Sequence, residues 1–188
     1  MTEVRQMLFM NLISLPDENN AHIMRFKRAC AKHIGQFPSM TSRAHISFPG
    51  LVFDENTSLT SFSYNDYYRV IESILSNVPA INLKLSGFEY LQHGDQYRTI
   101  CVALKLDPVT MRWFSIFEKI FPSKQKLKPH ITIARKIPIA SFNILWPHFQ
   151  KINFEDRFTV RNITVLHKPS YQAGPYQLYK DISLRKGN

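Results

Sequence analysis

Two short stretches with the same pattern decide how this sequence folds: residues 44–48, which read AHISF, and residues 128–135, which read KPHITIAR. Each contains a histidine followed two positions later by a hydroxyl residue, and side chains two positions apart in a β-strand share one face. We therefore expect each histidine and its hydroxyl partner to lie on one face of a strand. The repeat predicts a pseudo-symmetric fold that brings His45 and His130 into one cleft.

On either side of these stretches, apolar residues recur with the spacing of strands and of helices. The predicted order is strand, helix, strand, helix, two strands, helix, strand, helix and two strands. The strands include 7–14, 43–53, 81–85, 99–106, 158–167 and 176–184. Such a mixed order, with strands that pair as hairpins, is typical of an α+β protein rather than of a regular parallel doubly wound sheet.

Composition sets the size and the charge of the protein. The 188 residues are 44% hydrophobic, enough for a well-buried core, and the length fits one domain over 1–188. Lys and Arg number 24 against 14 Asp and Glu, which gives a net charge of +10. This excess favours a polyanionic partner such as nucleic acid, although a generic basic surface has the same charge. The oligomeric state stays open, with a monomer as the default.

The cysteines and the apolar runs bear on the compartment. Cys30 and Cys101 are the only cysteines, too few for a disulfide scaffold and without the paired spacing of a zinc site. The run 7–13 follows Glu3 and is interrupted by Asn11, which indicates a first strand rather than a signal peptide. No apolar stretch approaches the roughly 20 residues of a membrane span. We expect a cytoplasmic protein with no membrane role.

Two opposed histidines suit cleavage of a phosphodiester, because the reaction removes a proton from the nucleophile and delivers one to the leaving oxygen. Histidine titrates near neutral pH, so one imidazole can be the base and the other the acid. Ser47 and Thr132, on the same strand faces as His45 and His130, can donate hydrogen bonds to phosphate oxygens. This chemistry needs no cofactor. A zinc site would need a third ligand, and neither an HExxH motif nor a Cys pair supplies one.

The two stretches resemble the signatures of the two-histidine (2H) phosphoesterase superfamily, and in particular the bacterial 2'-5' RNA ligase-like proteins, also described as RNA 2',3'-cyclic phosphodiesterases. The second stretch is the more specific match. In the first, those proteins often have Thr where this chain has Ser47, which keeps the hydroxyl.

The resemblance implies a bilobal fold with a pseudo-twofold axis, in which two β-sheet lobes with outer helices surround a central cleft. It implies hydrolysis of a 2',3'-cyclic phosphate, or of a 2',5'-linked oligonucleotide, without a cofactor. His45 and His130 would share the acid and base roles, and Ser47 and Thr132 would bind the phosphate. RNA joining stays open, because it requires two bound ends that the motifs do not encode.

Three further residues are candidates for substrate binding. Phe48 can stack on a nucleobase, although strand parity places it opposite His45, in the core. Arg135 can pair with a phosphate through its guanidinium group, but parity turns it away from His130 unless the strand ends or bulges there. Tyr176, at the start of the last predicted strand, is a weaker candidate for base stacking and otherwise a sheet residue.

The remaining polar features have no repeated context. A basic cluster before the second motif can guide a polyanion to the cleft or form a solvated loop; it consists of Lys124, Lys126 and Lys128. The other histidines are expected to be surface or structural groups: His22, His33, His93, His148 and His167.

Two alternative functions remain open at this point. The first is a non-catalytic RNA- or nucleotide-binding module with the same fold and charge, whose binding would survive loss of both motif histidines. The second is a 2H enzyme that acts on a small nucleotide-derived cyclic phosphate and depends little on RNA length.

Overall fold

A computed structural model describes residues 5–54, 63–124 and 126–186. In these ranges the chain forms nine β-strands and four α-helices. In chain order they are β1 Gln6–Ser14, α1 Asp17–Ile34, β2 His45–Ser47, β3 Leu51–Asp54, α2 Tyr64–Leu75, β4 Ile81–His93, β5 Tyr97–Leu104, α3 Pro108–Ile120, β6 His130–Pro138, α4 Ile139–Phe149, β7 Glu155–Val160, β8 Asn162–Pro169 and β9 Gln177–Ser183. None of the helices in the described ranges has the length and hydrophobicity needed to cross a bilayer.

The strands form two sheets. The first has the strand order β2-β1-β8-β9, with β3 also paired to β1, and the second has the order β6-β5-β4-β7. All pairings between these strands are antiparallel. The predicted α+β class is confirmed, and the two sheets form the two lobes that the resemblance implies.

The single strand predicted at 43–53 is two strands, β2 and β3, which both pair with β1. Pro49 and Gly50 separate them. Proline has no N–H to give to a strand ladder. A Cβ on Gly50 would lie 3.0 Å from the carbonyl oxygen of Phe9 on β1, a tight contact, so glycine favours this close approach of the chain to its neighbour.

The strand predicted at 158–167 is also two strands, and they belong to different sheets. β7 pairs with β4 in the second sheet, whereas β8 pairs with β1 in the first. Buried apolar side chains stand at 158 and 160 before the junction and at 163 and 165 after it. The alternation therefore shifts by one residue where the chain changes sheet, at Arg161.

The strand predicted at 81–85 continues to His93 as β4. Its pairing with β5 is interrupted by a bulge between Leu85 and Phe88, where Gly87 has a φ of +69°. Glycine adopts this conformation without strain, and it breaks the apolar alternation on which the prediction depends. Because β4 is longer, the β4–β5 hairpin extends beside β6 as far as the pair formed by Tyr97 and Pro138.

The strands that carry the two motifs, β2 and β6, are edge strands of their sheets and lie beside each other. β2 pairs antiparallel with β1, the strand that precedes helix α1, and β6 pairs antiparallel with β5, the strand that precedes helix α3. The order strand, helix, motif strand therefore occurs in both halves of the chain, as the repeat predicts.

Helices α1 and α3 connect strands of one sheet and also pack against the other lobe. On α1, which lies against β6, the side-chain amide of Asn19 donates to the carbonyl of Arg157 on β7 at 3.1 Å. On α3, Phe117 stacks on Phe48, directly after β2, with ring centroids 4.7 Å apart. Through these contacts, each of the two helices joins its own sheet to the other lobe.

A buried polar pair joins β1 to helix α2. Asn11 and Tyr68 are both fully buried, and the Tyr68 hydroxyl donates to Asn11 Oδ1 at 3.0 Å. The backbone carbonyl of Asn11 accepts the N–H of Phe48 at 2.9 Å. Asn11 thus interrupts the apolar run of β1 because its side chain has a specific partner in the core.

We predict that Tyr68→Phe lowers the free energy of unfolding by about 1–3 kcal/mol, because it leaves Asn11 Oδ1 buried without its hydroxyl donor. Urea denaturation measures this change. Tyr90→Phe is the matched control, since Tyr90 is 44% exposed and its loss should change stability by less than about 0.5 kcal/mol. Equal effects of the two substitutions would contradict the role of the pair.

Candidate active site

A cleft of about 350 Å³ is lined by side chains of both motif strands. His45, Ser47, His130 and Thr132 all line it, so the structure brings the four motif side chains together, as the repeat predicts. A larger surface cavity of about 500 Å³ lies elsewhere, along residues 84–86 and 155–157, and contains none of them. The smaller cleft is therefore the candidate site.

The two imidazoles are held in the same way. His45 Nδ1 lies 2.8 Å from the carbonyl oxygen of Arg43, and His130 Nδ1 lies 2.7 Å from that of Lys128. A carbonyl oxygen only accepts hydrogen bonds, so Nδ1 carries the proton in each ring. In the neutral form, Nε2 is then the bare nitrogen that is left for a ligand.

The surroundings of His45 favour its neutral form. Burial is the main cause that lowers its pKa below the ordinary histidine value, and it outweighs the hydrogen bond to the Arg43 carbonyl, which acts in the opposite direction. The positive charges of Lys27 and Arg135, together with His130, lower the pKa further. His45 is therefore suited to accept a proton near neutral pH.

The two motif hydroxyls are available to a ligand. Ser47 is exposed and Thr132 is half-buried. Neither side chain makes a hydrogen bond to the part of the chain that the structure describes. Each lies two residues beyond its histidine on the same face of the strand, where it can donate to an oxygen of a bound anion.

Arg135 also lines the cleft, because β6 is bulged after the second motif. Cys101 of β5 is opposite Thr132, but the next residue of β5, Ile100, is opposite Ala134. The extra residue reverses the parity of β6. Because β6 is bulged at this point, Arg135 is on the side of the strand that faces the cleft.

Two hydroxyl groups satisfy the backbone at this bulge. The buried Ser39 hydroxyl donates to the carbonyl of Ile133 at 3.0 Å and accepts the N–H of Arg135 at 3.0 Å. The Thr99 hydroxyl accepts the N–H of Lys136 at 2.9 Å. Both hydroxyl residues line the cleft. Neither is part of a motif, and they fix the backbone on which Arg135 stands.

A lysine that the sequence analysis leaves out, Lys27 on helix α1, is buried beside the cleft. Its Nζ donates to the carbonyls of Ser39 and Ser42, each at 2.8 Å. Burial lowers the pKa of Lys27 from 10.5 to about 8. Lys27 follows Ile23 by four positions and precedes Cys30 by three, so it lies on the apolar face of the predicted helix. A lysine on that face is the sequence signal that it is buried.

The described lining of the cleft is cationic. It includes Lys27, Arg43, Arg135 and three histidines, and it has no carboxylate. In the described ranges, no three His, Cys, Asp or Glu side chains come together where they could hold a metal ion. The electrostatics of the cleft favour an anion.

Two predicted binding residues lie outside the cleft lining. Phe48 is 4% exposed and packs against Phe117 and Phe121, so it is the core residue that parity indicates and its ring is not open to a base. Tyr176 is half-buried just before β9 and lies 5.3 Å from Lys168 Nζ in a cation–π contact. A base-stacking role is not supported for either residue.

The basic cluster and most of the other histidines also lie away from the cleft. Lys124, Lys126 and Lys128 do not line it, and Lys128 Nζ is 3.3 Å from Glu89. His93 differs, since it lines the cleft through the extension of β4. The other histidines make contacts elsewhere: His22 with Asp156, His33 with His148, and His167 with Phe9 and Tyr179.

No family model and no curated protein matches this sequence, but solved structures match its fold. TT0787 of Thermus thermophilus has a TM-score of 0.66 at 16% identity, over 96% of this chain and 100% of that one. E. coli LigT complexed with 3'-AMP has 0.56 at 18%, over 97% and 99%. Kluyveromyces marxianus Usb1 with uridine monophosphate has 0.50 at 16%, over 95% and 98%. At these identities the likeness is one of fold, and the bilobal α+β fold that the resemblance implies is confirmed.

We predict that Ser39→Ala lowers the free energy of unfolding by about 1–3 kcal/mol, because the Ile133 carbonyl and the Arg135 N–H lose a buried partner. Ser42→Ala, in the same loop, should have little effect, since the Ser42 hydroxyl makes no hydrogen bond to the described chain. Urea denaturation of both variants tests this. Equal stabilities would show that the bulge does not depend on Ser39.

Proposed function

We propose that this protein hydrolyses a phosphodiester of RNA or of a nucleotide, either a 2',3'-cyclic phosphate or a 2',5'-linkage, with His45 and His130 as base and acid. One observation carries the proposal: both imidazoles line one cleft, and each is held by Nδ1–H on a carbonyl two residues upstream. An imidazole held in this way accepts a proton at Nε2 when neutral and donates one from Nε2 when charged.

For a 2',3'-cyclic phosphate, the base takes a proton from water as the water oxygen attacks phosphorus. The bond from phosphorus to the 2' or 3' oxygen breaks, and the acid donates its Nε2 proton to that oxygen. The products are a phosphomonoester and a free hydroxyl. The two histidines finish with their protonation states exchanged, so one proton must move through solvent before the next turnover.

The hydroxyls of Ser47 and Thr132 bind the non-bridging phosphate oxygens, where negative charge increases in the transition state. The Arg135 guanidinium, on the side of the bulge, adds positive charge to the cleft. Proton transfer and charge stabilisation are thus both assigned to protein side chains. The reaction as proposed uses no metal ion or cofactor.

We assign the base to His45. Burial and the charges of Lys27, Arg135 and His130 lower its pKa and favour the unprotonated Nε2 that a base needs. His130 then supplies the proton to the leaving oxygen.

The ligands of the structural neighbours and the charge of the chain support a nucleotide or RNA substrate. The LigT structure contains 3'-AMP and the Usb1 structure contains uridine monophosphate. The net charge of +10 and the cationic cleft suit a polyanion. RNA joining is not part of the proposal, because the site as described accounts for one nucleotide end.

The first test is turnover in the presence of a chelator. Wild-type protein is incubated with 2',3'-cyclic mononucleotides, cyclic-ended RNA and 2',5'-oligoadenylate, and the products are separated by chromatography. We expect hydrolysis of at least one of these. His45→Ala and His130→Ala should each lower kcat by about 10²–10⁴-fold, the usual effect of losing a general acid or base.

His148→Ala is the matched control, because His148 is exposed on α4 and does not line the cleft. Equal turnover by wild type and both motif variants would remove the histidines from the chemistry. Turnover only without chelator would overturn the metal-free mechanism. Nucleotide binding that survives both substitutions, with no turnover, would identify a binding module instead.

The second test is the pH dependence of kcat/KM. The fall of kcat/KM at low pH, the acidic limb of the profile, reports the pKa of the base in the free enzyme. We predict that this limb lies below the ordinary histidine pKa of 6.5, because the pKa of His45 is lowered. Lys27→Met removes a positive charge and should move this limb to higher pH. Lys32→Met, on an exposed position of α1, should leave it in place. A limb above 6.5 in wild type would contradict the assignment of His45.

A further inference from the structure

A third histidine, His93, lines the cleft with a different nitrogen available. His93 Nε2 lies 2.9 Å from the Thr99 hydroxyl oxygen, and its Nδ1 makes no hydrogen bond to the described chain. The motif histidines have the opposite arrangement, since their Nδ1 atoms are bound to carbonyls and their Nε2 atoms are left for a ligand.

The hydrogen bonds of Thr99 bear on which nitrogen of His93 carries the proton. The Thr99 hydroxyl oxygen already accepts the N–H of Lys136. In the described part of the chain, the acceptor within reach of its hydroxyl proton is His93 Nε2. The Thr99 hydroxyl can donate its proton to Nε2, and the proton of the neutral His93 ring is then on Nδ1. In this arrangement the neutral His93 presents an N–H donor, which suits it to bind an anion rather than to act as a base.

Burial and the surrounding cations favour the neutral form of His93, and the cations make this end of the cleft positive. Burial lowers the pKa of His93, and Lys136, Arg135, Arg98 and His130 lower it further in that order. A neutral donor among these cations adds a hydrogen bond to an anion without adding to their mutual repulsion.

His93 lies at a distance from the phosphate that Ser47 and Thr132 would bind. Thr132 is opposite Cys101 on β5, and Thr99, which binds His93, lies two residues further along the same strand. Two residues of a strand span about 7 Å, which the backbone of one nucleotide can bridge. Arg135 lies on β6 between Thr132 and Lys136, and the Lys136 N–H donates to the Thr99 hydroxyl. The Arg135 backbone is therefore between the phosphate at Thr132 and the position of His93.

We propose that His93 and Arg135 form a second phosphate site, which takes the 5'-phosphate of the nucleotide whose 2',3'-phosphodiester lies between His45 and His130. The proposal rests on the proposed function. It names the substrate class as an RNA 3' end or a 5'-phosphorylated nucleotide, in preference to a nucleoside cyclic phosphate with a single phosphate. His93 Nδ1–H donates to the second phosphate, and the Arg135 guanidinium neutralises it.

The test compares the binding of two product-like ligands, adenosine 3'-monophosphate and adenosine 3',5'-bisphosphate, by titration calorimetry at pH 7. Wild type should bind the bisphosphate about tenfold more tightly, the effect of one added hydrogen bond to a charged group. His93→Phe, which keeps a planar ring and removes the donor, should reduce this preference to about twofold or less. His93→Gln keeps an N–H donor and should restore part of it.

His148→Gln is the matched control and should leave the preference unchanged. Equal affinities of wild type for the two ligands, or a preference that survives in His93→Phe, would overturn the second phosphate site. The readout does not depend on turnover. A His93-dependent preference in a protein that hydrolyses nothing would therefore reject the proposed function alone, and hydrolysis with no such preference would reject this inference alone.

Discussion

The structure depends on one constraint: two edge strands from different sheets must lie side by side with their polar faces toward one cleft. β2 and β6 satisfy it because helices α1 and α3 each connect strands of one sheet while packing against the other lobe. An edge strand has one side without a strand partner. β2 and β6 lie beside each other, and the face of each strand that carries the motif side chains lines the cleft at the boundary between the lobes.

Backbone groups and hydroxyls orient the two motif histidines and the bulge that carries Arg135. Carbonyls hold the Nδ1 atoms of His45 and His130, and two hydroxyls hold the bulge from which Arg135 projects. Arg43 pairs with Asp17 at 2.6 Å, and the described lining of the cleft itself contains no carboxylate. Burial lowers the pKa of Lys27 to about 8, and an anion in the cleft would favour its charged form.

The fold is shared with proteins that are only 16–18% identical over nearly the whole chain. A core requires apolar side chains of suitable volume at the right periodicity, and many combinations meet that requirement. The proposed chemistry places a narrower requirement on the two motifs, an imidazole and a hydroxyl at a fixed spacing on one strand face. A few motif residues can therefore resemble a family signature when the rest of the sequence matches no family model.

The sequence by itself determined the α+β class and the pairing of each motif histidine with its hydroxyl, because these follow from local periodicity. Only the tertiary structure decided that 158–167 divides between two sheets, that a bulge turns Arg135 toward the cleft, and that the extended β4 brings in His93. Strand partners, bulges and buried polar contacts such as those of Lys27 join residues far apart in the chain. Their free energies depend on distant groups, which a local pattern does not contain.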